Sequence, residues 1–197
     1  MEHHLAIIIL GSPSVGKTAL MTQFVEKNFV EPQMHPGSEY QPYEEPVLDP
    51  DGVEVFRARA VVDGTECLLN IRFFPTEAYP FVPRPLVQKA EGFLIVYSVT
   101  SRSSFEEAAL LRKEVEAVKD PCQIVLVGNK CDLDGERQVR EQEGRDFAAI
   151  EYPFFETSAK NAINIEEAFN ELIRMIREGI RENRLNEWKR LNPVRKY

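Results

Sequence analysis

Long apolar runs are missing from this sequence of 197 residues. No stretch approaches the roughly 20 residues of a membrane-spanning helix. Met1-Glu2-His3-His4 leads straight into a strand-like segment without a secretory leader. Cysteine is scarce as well: Cys67, Cys122 and Cys131 are too few and too scattered for a disulfide framework, and no pair has the close spacing of a zinc site. A reducing, cytoplasmic location is expected. Basic charge is in deficit, with 24 Lys and Arg against 32 Asp and Glu for a net of -8. Such a surface repels a polyphosphate backbone unless a local basic patch reverses the sign, so nucleic acid is not expected as a main partner. Internal repeats and low-complexity tracts are absent. What is present is 43% apolar residues, enough at this length for one sizeable core, which favours a single domain and excludes disorder throughout.

Leu5 to Leu10 is an apolar run without alternation, which suits a strand buried on both faces of a mostly parallel sheet. Gly92 to Val99 and Gln123 to Gly128 are similar, and stretches of helical periodicity separate them. This is βαβ alternation. A hairpin is expected from Val53 to Val62 and Thr65 to Phe73, because Asp63-Gly64 accepts the positive φ of a type I′ turn. It supplies one antiparallel edge strand. Ile165, Phe169, Leu172, Ile173, Ile176 and Ile180 recur at three- and four-residue steps and predict a final helix closing one face of the sheet. Prolines crowd two segments, Pro32 to Pro50 and Pro75 to Pro85, and both are expected to be irregular.

Gly11-Ser12-Pro13-Ser14-Val15-Gly16-Lys17-Thr18 has the spacing G-x-x-x-x-G-K-[ST], after an expected strand and at the start of a helix carrying Leu20, Phe24 and Val25. That context is the one a phosphate loop requires. Its glycines let backbone N–H groups turn toward an anion and the helix N-terminus adds partial positive charge. Lys17 neutralises β and γ oxygens, and Thr18 offers a hydroxyl to magnesium. The bland alternative is a glycine turn that only caps a helix. Pro13 brings no N–H, so Ser14, Gly16 and Lys17 carry more of the cradling. Asn129-Lys130-Cys131-Asp132 follows the third buried strand, and Glu156-Thr157-Ser158-Ala159-Lys160 follows a short strand around Tyr152 to Phe155. Both lie where open α/β sheets bind ligands. The Asp132 carboxylate can accept from the N1–H and 2-amino group of guanine, a donor pair adenine lacks, so guanine is expected to be preferred.

These residues, with Lys27-Asn28-Phe29-Val30, Asp63 to Leu69, Glu91-Gly92-Phe93 and Val127 to Leu133, make the chain resemble the Ras-like small GTPases, the Ras subfamily most of all. The resemblance implies a three-layer α/β fold: a mostly parallel six-stranded sheet with one antiparallel strand and helices on both faces. Residues 1–181 would form the G domain and 182–197 a basic helical extension or tail. GTP or GDP would be the ligand with Mg2+ as its ion. The nucleotide set would be Gly11, Ser14, Val15, Gly16, Lys17 and Thr18 at the phosphates, with Thr18 on the metal. At the base, Phe29 would lie against the ring, Asn129 and Asp132 would hold it, and Lys130 would brace loop and ribose. Ser158, Ala159 and Lys160 would form the second base loop, the Ala159 N–H meeting the guanine oxygen.

Departures from the family pattern are as informative. Where members carry D-x-x-G-Q, anchoring on Cys67-Leu68-Leu69 puts Phe73 at the aspartate, Thr76 at the glycine and Glu77 at the glutamine. No catalytic residue is assigned, hydrolysis is expected to be slow or absent, and magnesium coordination weakened. Glu77 either burdens a γ-phosphate with negative charge or faces solvent. Anchoring on Pro36 puts Gly37 where the family's magnesium threonine stands, with Ser38 one step beyond. From Glu31 to Glu54 seven residues are acidic and none is lysine or arginine; this is either a surface for basic protein effectors or regulators, or a solvated guard on a sheet edge. The tail from Arg181 to Lys196 carries six basic against two acidic residues. It either touches an anionic membrane weakly or continues the last helix with Trp188 packed back. The last cysteine is Cys131, so no prenyl anchor is expected. Three functions remain open at this point: a slow signalling GTPase, a nucleotide-binding interaction module, and a P-loop nucleotide kinase.

Overall fold

The computed structural model describes residues 4–26, 47–48, 54–74 and 81–191. The apolar runs form the middle of one sheet. β1 (His4–Leu10) pairs in parallel with β5 (Gly92–Ser98), which pairs in parallel with β6 (Gln123–Asn129), and β6 with β7 (Phe154–Thr157). On its other side β1 pairs in parallel with β4 (Thr65–Phe73), the second arm of the expected hairpin, whose first arm is β3 (Glu54–Val62). Asp63 and Gly64 take φ of 51° and 72°, as a type I′ turn requires. A two-residue strand, β2 (Val47–Leu48), pairs antiparallel with Val55 and Glu54 at the outer edge. The sheet order is therefore β2-β3-β4-β1-β5-β6-β7, with seven strands where six were expected. β3 remains the single antiparallel strand, since β2 and β4 both oppose it.

Burial on both faces explains why β1 lacks alternation. Ile7 and Ile9 enter the core shared with α1 (Lys17–Glu26) and α5 (Ile165–Leu191), while Ile8 and Leu10 enter the one shared with α2 (Arg84–Lys89), α3 (Arg102–Glu116) and α4 (Glu141–Ala148). Phe24 stacks on Phe169 with ring centroids 4.2 Å apart and fixes α1 against α5. The second proline-rich segment is not irregular throughout. Pro83 caps α2 and Pro85 stands in its first turn, where proline's fixed φ is already helical and its missing N–H has no partner to lose. Leu86 and Val87 then bury that helix.

Ion pairs join distant elements. Arg174 of α5 grips the hairpin turn, Nε and Nη2 donating to the two Asp63 oxygens at 2.9 and 2.8 Å. That bond holds the Asp63 carboxyl below the usual carboxylate range. At the start of α3, Arg102 donates to both oxygens of Glu143 in α4 at 2.8 and 3.0 Å, and the Arg140 N–H adds a third bond at 3.0 Å. Together, with Arg102 the larger contributor, they bring the Glu143 carboxyl down to about 2. A depressed acid contributes stability above its unfolded value and loses it as pH falls toward the folded one. The melting temperature is thus expected to fall between pH 4.5 and about 2, and Glu143→Gln should flatten that part of a thermal-melt pH series. An unchanged slope would refute this role.

Candidate nucleotide-binding site

Parallel strands put their C-terminal ends, and the loops that follow them, on one edge of the sheet. Asn129 ends β6 directly beside Ser98 of β5 and Thr157 of β7, and the β1 loop lies next to them. The backbone of that loop is bent as anion cradles are. Gly11, Ser14 and Gly16 have φ of 146°, 61° and 97°. A Cβ on Gly11 would meet the Val96 carbonyl oxygen at 2.1 Å, and one on Gly16 the Asn129 Nδ2 at 2.4 Å. Only glycine fits at either place. Lys17 opens α1 and reaches back across the loop, its ammonium donating to the carbonyls of Gly11 and Ser12 at 2.5 and 2.9 Å. Thr18 follows it, exposed.

Asn129 is the bolt of the site. It is 1% exposed; its Nδ2 donates to the Val15 carbonyl at 2.8 Å and its Oδ1 accepts from the Thr157 hydroxyl at 3.1 Å. One amide thereby ties the phosphate loop, the Asn129-Lys130-Cys131-Asp132 loop and the loop after β7. Its position in the base motif is legible in the sequence, but this bridging is not. Beside it the Ser158 hydroxyl donates to Asp132 Oδ1 at 2.6 Å while accepting from the Asn161 N–H at 3.1 Å. The Ser158 hydroxyl thereby fixes the orientation of the Asp132 carboxylate. Lys130, half-buried, turns the chain with φ of 67°, and Cys131 donates its N–H to the Thr157 carbonyl at 3.0 Å. Ala159 is 5% exposed on the same loop, whereas Lys160 is exposed.

Sequence reasoning missed three supports. Ser12 donates to Glu107 of α3 at 2.6 Å, which anchors the phosphate loop to a helix 95 residues away. Arg137 clasps Glu156 at 2.6 and 3.0 Å and also Asp134 at 2.7 Å, stiffening the turn after Asp132 against β7. Thr157 completes the Asn129 bolt. No local pattern marks any of them. The structure thus brings together Gly11, Ser14, Val15, Gly16, Lys17 and Thr18 with Asn129, Lys130, Asp132, Ser158, Ala159 and Lys160. Phe29, Gly37, Thr76, Glu77 and the acidic stretch before residue 47 lie outside the described residues. Phe73 is described: it ends β4 and packs edge-on against Phe56 with centroids 5.2 Å apart. It offers no ligand atom to a metal.

A profile of the Ras family matches residues 6–178, a span that holds every loop just described and all of the sheet but the first two residues of β1. The chain belongs to the Ras family. It is 38% identical over 186 residues to the Ras-like protein rasB of Dictyostelium discoideum, covering 92% of this chain and 87% of that one. It is 39% identical over 185 residues to the Ras-like protein 1 of Saccharomyces cerevisiae, covering 91% of this chain and 55% of the relative. The chain thus spans only about half the length of the yeast relative. Membership makes this Ras-family chain a small GTP-binding protein of the P-loop type and displaces the nucleotide-kinase reading. Among the described residues no helix is long and apolar enough to cross a membrane.

Proposed function

We propose that this Ras-family protein binds GTP and GDP through the assembled loops and acts as a signalling switch or interaction module whose own GTP hydrolysis is slow or absent. Asp132, already held by Ser158, reads guanine; the bent loop from Gly11 to Thr18 with Lys17 holds the phosphates. Mg2+, when bound, would supply positive charge against the phosphates. Thr18 would hold it here with a hydroxyl exposed at the first turn of α1. The observation that carries the reading of slow turnover is Phe73, an aromatic side chain packed on Phe56 where the family's magnesium aspartate belongs. With that carboxylate replaced, magnesium coordination is weakened, and Thr76 and Glu77 deprive the attacking water of its usual orientation. Protein effectors or regulators then meet the switch segments and the acidic surface of residues 31–54. The basic end of α5 gives at most a weak peripheral contact with a membrane.

Ordinary Ras relatives hydrolyse GTP unaided at rates on the order of 10⁻⁴ per second. A single-turnover assay on the GTP-loaded protein is expected to give a lower rate. Phosphate release at the ordinary rate or above would overturn the reading. Glycine at Thr76 with glutamine at Glu77 is not expected to restore turnover while Phe73 remains.

A further inference from the structure

At the end of the sheet away from the nucleotide loops, a groove of about 590 Å³ opens between the start of β4 and the far turns of α5. Leu5 and Ile180 contribute apolar wall, and Arg59, Arg177, Arg181 and Arg184 supply the charge. One carboxylate among the described lining residues opposes them, Glu66, which Arg59 meets at 3.3 Å. Arg177 is positioned by its own donors, Nη1 to the Val62 carbonyl at 3.2 Å and Nη2 to the Thr65 hydroxyl at 3.3 Å. Nothing in nucleotide binding uses these groups. They stand on a stripe: Arg177, Arg181, Arg184, Trp188 and Leu191 follow one another at steps of four, three, four and three, so they share one face of α5. The helix runs on through residue 181 as the sequence allows, but Trp188 is not buried. It is 60% exposed and Leu191 67%.

We propose that this groove is a docking site for the polyphosphorylated headgroup of a membrane lipid, with Trp188 and Leu191 entering the interface beside it. The proposal rests on the peripheral membrane contact inferred above and names its site and ligand. Guanidinium forks bind phosphate oxygens in pairs, which a point-charged ammonium cannot. Four of them around a single carboxylate leave a surplus that a singly charged headgroup would not neutralise. An indole one turn beyond the last arginine sits where headgroup meets acyl chain, and a leucine after it reaches the apolar side. The chain's net charge of -8 does not forbid this. Exposed charges farther than about 8 Å are largely screened at physiological salt.

Trp188 is the sole tryptophan, so its emission reports the contact directly. The full chain, loaded with GDP, is titrated with phosphatidylcholine vesicles containing either phosphatidylserine or phosphatidylinositol bisphosphate at equal total charge. Cosedimentation and a blue shift are expected at lower lipid concentration with the bisphosphate. Arg181→Ala should weaken that binding about fivefold, the worth of one arginine at an anionic surface. Arg190→Ala removes the same charge nine residues on, from the opposite side of the helix, and should change binding less than about twofold. Equal losses in the two variants, or equal binding to both vesicles, would overturn the groove while leaving a diffuse peripheral contact standing. No binding to either vesicle would overturn both. Soluble inositol trisphosphate should compete the protein off the vesicles without a blue shift; if it binds as tightly as the bisphosphate vesicles do, the ligand is a free polyphosphate and the membrane assignment fails.

Discussion

Asp132→Asn is expected to weaken GTP binding about 10³-fold and to raise the affinity for xanthosine triphosphate. The size follows from two hydrogen bonds between guanine donors and a charged acceptor, each worth roughly 1.5–3 kcal/mol, where about 4 kcal/mol corresponds to that factor. The direction follows from Ser158. Its hydroxyl already donates to Asp132 Oδ1, so an amide in the same place keeps its oxygen there and turns Nδ2 toward the base. Two donors then face each other across the 2-amino group of guanine. Xanthine offers a 2-oxo acceptor at that position and relieves the clash. Competition between the two triphosphates against a labelled GDP probe measures the change. An unaltered preference for GTP would show that Asp132 does not read the base.

Asn129→Ala is the second large change, and it separates stability from ligand contact. Truncation strands the Val15 carbonyl and the Thr157 hydroxyl, the latter on a side chain with no exposure. Each buried polar group left without a partner costs about 1–3 kcal/mol. For a domain of this size every 1 kcal/mol lowers the melting temperature by about 2–4 °C, so a fall of roughly 5–15 °C is expected. GDP release should accelerate as well, because the phosphate loop and both base loops lose their common tie. Thr157→Val serves as a partial control: it removes the hydroxyl that donates to Asn129 but leaves the bond to Val15. It should fall between the parent and Asn129→Ala in both measurements. A melt of Asn129→Ala that overlays the parent would refute the bolt.

The two substitutions differ in how far the sequence foretells them. Asp132 is readable because Asn129-Lys130-Cys131-Asp132 is contiguous and follows a strand whose unbroken apolar run already implies burial on both faces. Gly11 to Thr18 is readable for the same reason: loop, lysine and helix start are neighbours in the chain, and the steric demand at Gly16 is met by the residue type itself. The hairpin at Asp63-Gly64 and the apolar stripe of α5 are likewise local patterns with a period or a turn chemistry of their own. Helix α2 was hidden because a proline has two meanings, breaker in a helix interior and starter in its first turn, and only Pro83 at the cap of Arg84–Lys89 decides between them.

By itself, then, the sequence determined the α/β class and the family likeness, and it marks Gly11 to Thr18 as the expected phosphate loop, Asp132 as the expected base reader and Phe73 as the expected break with the family's magnesium motif. The tertiary structure alone decided what holds these parts rigid. Ser12 with Glu107, Asn129 with Val15, Arg137 with Glu156 and Asp63 with Arg174 join residues 95, 114, 19 and 111 positions apart. Side chains so distant meet only once strand order and register are set. The β2-β3-β4-β1-β5-β6-β7 order is one of several that the same apolar periodicities would permit. The same holds for the arginine groove. Each guanidinium reads in the sequence as one more solvated charge, and it is the meeting of β3, the start of β4 and the far turns of α5 that places four of them around one cavity.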